Sequence, residues 1–204
     1  MSLEVKICGI RDNAHQVAGL KPDFMGFIFH GPSPRNLPND YPCDTWKDIR
    51  KVGVFVDSPI QEISSAIVRY KLDIVQLHGS ESPELCSRLS SSIAVWKMFP
   101  VADTLDFDSL KAYSGVVDRL LFDTKGVSRG GNGTRFDWSL LYDYPLDTPF
   151  VLSGGIGPGA EPEIRDLASR TDKLVTVDLN SRFELRPGLK EIESLKHFMH
   201  ELSR

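Results

Sequence analysis

The sequence has no basic excess, no long apolar run and too few cysteines to build a framework. Lysine and arginine number 24 against 28 acidic residues, for a net charge of −4. Nucleic-acid binders usually carry a basic stripe. Here the densest basic stretch, residues 182–190, is interrupted by Glu184, so no nucleic-acid partner is expected. No run approaches the roughly 20 apolar residues of a membrane span. The start, Met1-Ser2-Leu3-Glu4-Val5-Lys6, lacks the apolar core of a secretory signal. The expectation is a cytoplasmic protein with no membrane partner. Cys8, Cys43 and Cys86 are three cysteines at wide, irregular spacing, which does not read as a disulfide framework. No C-x-x-C pair and no Cys/His cluster at zinc spacing occurs, so no metal is expected. His197 and His200 are close only as neighbours on a terminal helical pattern, which reads as a solvated helix face. No G-x-G-x-x-G follows the first strand-like run, which argues against a dinucleotide fold.

What is present is alternation. Strand-like runs occur at Glu4–Gly9, Phe24–Phe29, Lys51–Val56, Asp73–His78, Ile93–Phe99, Arg119–Asp123, Phe150–Ser153 and Lys173–Leu179. Helical spacing falls between them, at Asp12–Leu20, Ile60–Tyr70, from Ser82 onward, at Gly159–Ala168 and at Leu189–Leu202. Ile60, Ile63, Ala66, Ile67 and Tyr70 mark one apolar helix face. Ser82-Pro83 reads as a helix cap followed by proline in the first turn. Continuous apolar strands alternating with helices imply a parallel sheet covered on both sides. Eight such units predict an α/β protein, a single (β/α)8 TIM barrel over residues 1–204, with an open doubly wound sheet as the alternative. The chain is short for that fold, and the trimming is expected in the second helix, around 44–49, and the sixth, around 138–142.

In such a barrel, polar residues at the C-terminal strand ends face the active site. Those positions hold Lys6 and Cys8, Arg35, Gln76 and His78, Asp123, Gly154 and Gly155, and Asp178, Asn180 and Ser181. Gly154, Gly155, Gly157 and Gly159, with Gly130, Gly131 and Gly133, place seven of the sixteen glycines in two loops. Glycine lets backbone N–H groups approach an anion, and the loops after the seventh and eighth strands are the usual phosphate site of this fold. Cys8 reads equally as core or as a base whose thiol Lys6 draws down. Asp123 ends an apolar strand, where burial raises a carboxyl's pKa and suits it to general acid work. Arg35 offers a planar fork to a carboxylate. Gln76 and His78 fit either substrate contacts or satisfied rim groups, Asp178 fits a backbone or sugar-hydroxyl contact, and Gly131 borders the same mouth. A thiolate base facing a carboxylic acid suits proton transfer between carbon and oxygen, an isomerase chemistry that needs no cofactor.

Taken in order, several blocks resemble the phosphoribosylanthranilate isomerases of tryptophan biosynthesis. They are Lys6-Ile7-Cys8-Gly9-Ile10, Gly26-Phe27-Ile28-Phe29, Ser33-Pro34-Arg35, residues 52–56, Val75-Gln76-Leu77-His78-Gly79 and Leu121-Phe122-Asp123. The series continues through residues 130–134, Phe136-Asp137-Trp138, Leu152-Ser153-Gly154-Gly155, Val177-Asp178, Ser181, Glu184 and Pro187-Gly188-Leu189-Lys190. The resemblance implies an Amadori rearrangement of N-(5′-phosphoribosyl)anthranilate to 1-(2-carboxyphenylamino)-1-deoxyribulose 5-phosphate. It implies Cys8 as general base, Asp123 as general acid, Arg35 toward the anthranilate carboxylate, and the loops at Gly154-Gly155 and Asn180-Ser181 around the phosphate. The implied partner is a small phosphorylated substrate, and the expected state is a monomer or weak homodimer. Two positions depart from the family pattern: Arg11 stands for a threonine and Arg182 for a glycine. Arg182 either adds a cation to the phosphate or points outward. The competing readings are another phosphate-binding barrel enzyme and a barrel kept as a binding module.

Overall fold

The computed structural model describes residues 3–42, 46, 48–124 and 135–204. Eight parallel strands close into one barrel in chain order. They are β1 (Glu4–Ile7), β2 (Phe24–Phe29), β3 (Arg50–Phe55), β4 (Ile74–Leu77), β5 (Ala94–Val101), β6 (Arg119–Thr124), β7 (Phe150–Leu152) and β8 (Leu174–Leu179). The (β/α)8 barrel expected from the sequence is therefore the observed fold. The helices are α1 (Ala14–Gly19), α2 (Ile60–Tyr70), α3 (Pro83–Ser90), α4 (Phe107–Leu110), α5 (Glu161–Arg170) and α6 (Ile192–Leu202). Among the described residues no helix lies between β2 and β3, and after β6 a single 3-10 turn, Trp138–Leu141, stands in for one. None of the helices is long and apolar enough to cross a membrane among the described residues.

Local chemistry explains the elements. Ser82 caps α3 by accepting the N–H of Leu85, with Pro83 in the first turn, as the sequence predicts. Glu191, not foreseen, caps α6 by accepting from Glu193 and Ser194. Two expected boundaries are wrong at this level. The helix expected from Gly159 begins at Glu161, because Gly159 takes a positive φ of 87° that no helix accommodates. The helix expected from Leu189 begins at Ile192, because Leu189–Lys190 (β10) pairs antiparallel with Glu184–Arg186 (β9) across the Pro187-Gly188 turn.

Side chains alternate across each strand, so one parity enters the barrel and the other meets the helices. One set, the odd-numbered Val5, Ile7, Met25, Phe27, Val75, Leu77 and Val177 and, on β6, the even-numbered Leu120 and Phe122, joins the outer helix-packed core. The other set, the even-numbered Phe24, Val52, Ile74, Trp96 and Met98 and, on β6 and β7, the odd-numbered Leu121 and Val151, forms a separate inner core. Below it Arg119 pairs with Glu4 at 2.6 Å and lies over the Phe24 and Trp96 rings. The inward alternation of each strand, even on β1, β4 and β8 and odd on β6, carries Lys6, Gln76, Asp178 and Asp123 to the inner face at the upper end, and Cys8, His78 and Asn180 continue it just past their strands.

The strands are tied in pairs at their entry ends. Asp23, ahead of β2, accepts the N–H of Val5 at 2.8 Å. Asp73, ahead of β4, accepts that of Lys51 at 2.7 Å, and Asp118, ahead of β6, that of Val95 at 2.7 Å. Each aspartate closes the amide of the second residue of the strand before it. The last pair uses backbone alone, with Phe150 N–H donating to the Lys173 carbonyl at 2.8 Å. Removing one such carboxylate orphans an amide on a buried residue, at a cost of about 1–2 kcal/mol. Asp118→Ala is thus expected to lower unfolding free energy in urea by that amount, with Asp118→Asn recovering part of it. An unchanged midpoint for Asp118→Ala would sink this account of the pairing.

Candidate active site

The site begins with a buried ammonium. Lys6 is fully buried, and its Nζ donates to Gln76 Oε1 at 2.6 Å and to Asp178 Oδ2 at 2.9 Å. Burial opposes its charge, yet the carboxylate of Asp178 outweighs that cost and holds Lys6 above the ordinary lysine range. Asp178 faces Lys6 in register, β8 against β1. Its other oxygen, Oδ1, is buried and makes no hydrogen bond among the described residues.

Cys8 lies two residues beyond Lys6 on the same face, just past the end of β1 rather than within a strand reaching Gly9. Its amide donates to the Leu179 carbonyl at 2.8 Å. Gly26 makes room for it, since a β-carbon there would lie 2.8 Å from the Cys8 sulfur and 3.0 Å from Lys6 Cε. The structure corrects one expectation here. Burial pushes the Cys8 thiol up, and Lys6 and Lys190 only partly offset that, so the thiol is not pre-ionised by its lysine neighbour.

Across the mouth stands Asp123, with 23% of its side chain exposed. Burial among protein groups and the nearby Asp178 charge push its carboxyl up to about 6, as the sequence reading expects. Gly154 packs against it: with φ at 85°, a β-carbon there would strike the Thr124 amide and lie 2.7 Å from Asp123 Oδ1. Gly154 is therefore required for close approach. His78 Nε2 lies 3.6 Å from Asp123 Oδ2, and His78 Nδ1 meets Gln76 Nε2 at 3.0 Å.

A third group comes from the β9–β10 hairpin, whose contribution the sequence reading did not see. Lys190 and Glu184 are register partners, and Lys190 Nζ meets Glu184 Oε1 at 2.8 Å. Arg35, from the loop after β2, places Nε and Nη2 on the same carboxylate, the closest contact being 2.6 Å. Glu184 is held below the usual carboxylate range: burial raises it, but Arg35 and Lys190 prevail. Burial lowers Lys190 against the pull of Glu184. Asn180 accepts from Lys190 with its side chain at 2.9 Å, and its carbonyl accepts the Phe183 N–H at 3.1 Å. Arg11 ties these loops by donating to the Pro34 carbonyl at 2.7 Å and to the Pro187 carbonyl at 3.3 Å.

The loops after β7 and β8 meet as expected. Gly155 has a φ of 67°. A β-carbon at Gly157 would lie 3.1 Å from Arg182 Cβ and Nε, so the stem of Arg182 crosses this loop from the neighbouring one, beside Ser181. Gly131 and Cys43 lie outside the described residues. Cys86 is a buried thiol on α3, pushed up to about 11 by burial, and takes no part in the mouth. The signal that could have found Glu184 and Lys190 was the Pro-Gly turn centred between two short polar runs.

Comparison with known proteins now has a geometry to rest on. The family described as N-(5′phosphoribosyl)anthranilate (PRA) isomerase matches residues 5–201. The N-(5′-phosphoribosyl)anthranilate isomerase of Parabacteroides distasonis is 42% identical over 206 residues, covering 97% of this chain and 92% of its own. The crystal structure of phosphoribosyl anthranilate isomerase from Thermus thermophilus superposes with a TM-score of 0.84 at 26% identity, covering 98% of each chain. A phosphoribosyl anthranilate isomerase in complex with reduced 1-(o-carboxyphenylamino)-1-deoxyribulose 5-phosphate superposes with a TM-score of 0.79 at 29% identity, again over 98% of each chain.

The raised Asp123 carboxyl also has a consequence for stability. A folded-state pKa of about 6 against an ordinary 3.8 means folding favours the protonated form. That contribution is complete below pH 3.8 and is lost as pH rises through 6. Asp123→Asn is therefore expected to gain stability relative to the parent as pH goes from 4 to 7, read as diverging urea midpoints. Parallel midpoints across that range would mean that the carboxyl is not raised.

Proposed function

This chain belongs to the N-(5′-phosphoribosyl)anthranilate isomerase family, and we propose that one barrel domain converts N-(5′-phosphoribosyl)anthranilate to 1-(2-carboxyphenylamino)-1-deoxyribulose 5-phosphate, with Asp123 as acid and Cys8 as base. The observation that carries the assignment is the placement of those two side chains on the inner face of the mouth, at the ends of β6 and β1.

Asp123, half of it protonated near pH 6, gives its proton to the ring oxygen as the bond from that oxygen to C1 breaks. The anthranilate nitrogen lone pair fills the vacated position and leaves an iminium cation. That cation, beside Lys6 and Lys190, supplies the positive charge that the buried Cys8 thiol needs in order to act as thiolate. Cys8 then removes the proton from C2, and the resulting enolamine becomes the aminoketose as a proton is returned to C1 and the enol proton leaves. Lys6 holds the sugar region polar, and the open oxygen of Asp178 accepts a ribose hydroxyl. Arg35 already has Nε and Nη2 on Glu184, so the substrate carboxylate meets its remaining edge. Backbone amides of Gly154, Gly155, Asn180 and Ser181 take the phosphate, with Gly131 bordering the same mouth.

With substrate fluorescence as the assay, Asp123→Asn and Cys8→Ser should each lower kcat by roughly 10²–10⁴-fold. In the parent, kcat/KM should fall as pH rises above about 6, because the acid is then deprotonated, and Asp123→Asn should lack that limb. Near-native turnover in both variants would overturn the assignment. Arg182, laid across Gly157, adds its cation to the phosphate site in this reading. Arg182→Ala should then raise KM about three- to tenfold with kcat little changed, in keeping with a charge-assisted hydrogen bond. An unmoved KM would assign the phosphate to backbone amides alone.

A further inference from the structure

Gln76 is almost fully buried between two groups of opposite demand. On one side is the Lys6 ammonium, 2.6 Å from Oε1, which has three donors and no lone pair to offer. Turning the amide over would set an N–H against an N–H in a site closed to water, so the oxygen must face Lys6. The amide nitrogen therefore faces His78 Nδ1 at 3.0 Å, and it is a donor. Nδ1 must accept, so the imidazole carries its single proton on Nε2. That nitrogen lies 3.6 Å from Asp123 Oδ2, a gap of the kind that closes when substrate binds.

The direction of this chain matters to the acid. An imidazole ordinarily titrates near 6.5, close to where Asp123 titrates. A bare Nε2 facing Asp123 would compete for its proton and leave a histidinium–carboxylate pair, with no acid to open the sugar. We propose that Gln76 is a positioning residue: by passing the demand of the buried Lys6 ammonium to His78, it holds the imidazole neutral with its proton on Nε2, so that His78 donates toward Asp123 and does not take its proton. Protonating His78 would need Nδ1 to become a donor, which turns Gln76 against Lys6. This deepens the catalytic reading above and rests on it for the role of Asp123.

The charged groups around the ring fit this account. Lys6 comes from β1 and Cys8 from just past its end, Asp123 from β6 and Asp178 from β8. On the far side of the loop Lys97 is closed on Glu81 at 3.1 Å and on the Gly79 carbonyl at 2.7 Å, and Asp57 accepts the Ser80 N–H at 2.5 Å.

The direct test is a two-bond proton–nitrogen NMR spectrum of the ¹⁵N-labelled protein at pH 7, with the His78 signals assigned by their loss in His78→Gln. The expected pattern is that of the Nε2–H tautomer. Gln76→Glu keeps the size and the acceptor for Lys6 but removes the donor. In that variant a proton should appear on Nδ1, and kcat should fall about tenfold or more with a smaller change in KM. A proton on Nδ1 in the parent, or the same tautomer in parent and Gln76→Glu, overturns the proposal at whatever activity. Failure of the catalytic reading registers separately, as absent turnover in the parent.

Discussion

The buried ammonium of Lys6 is the constraint on which the site depends. A charge taken out of water costs several kcal/mol unless it is paired and hydrogen-bonded. Here the compensation is Asp178 on β8 and Gln76 on β4. Lys6 and Asp178 are register partners across the β1–β8 contact, where the first and last strands meet. Charge compensation and closure of the barrel are thus one event. The position of Cys8 follows, because the residue two further on from Lys6 is bound to the same face.

The long cations of the mouth are paired before any ligand arrives. Lys6 has Asp178, while Lys190 and Arg35 share Glu184. Long cations are held in fixed places without ligand, so binding does not spend energy on ordering them. Among the described residues the same arrangement leaves a few polar atoms uncommitted: Asp178 Oδ1, the outer edge of Arg35 and the amides of Gly154 and Gly155. The electrostatics therefore separate residues that build the site from those placed to meet a substrate.

Much of this was readable in the chain itself. Eight apolar runs with helical spacing between them gave the barrel, and the strand-end rule gathered Lys6, Cys8, Gln76, His78, Asp123 and Asp178 into one mouth. Alternation explains why: each lies at an inward position of a strand or its immediate continuation. The hairpin was not legible, because β10 has only two residues and no period, and the Leu189 region reads as the start of α6. The thiol of Cys8 was misjudged for a different reason. Sequence spacing shows that Lys6 is near, but not that both groups are sealed from solvent, and burial outweighs the neighbouring charge. The aspartates ahead of β2, β4 and β6 were plain in the sequence, yet their partners lie 18 to 23 residues away.

The β1–β8 pairing has a meaning for the way this protein is made. The two partners of its central ion pair are 172 residues apart. A ribosome delivering 5–20 residues per second leaves Lys6 without Asp178 for about 9–34 s. Throughout that interval β1 has an open edge, the kind of surface on which chains aggregate. The hazard belongs to synthesis, and it ends when β8 reaches β1.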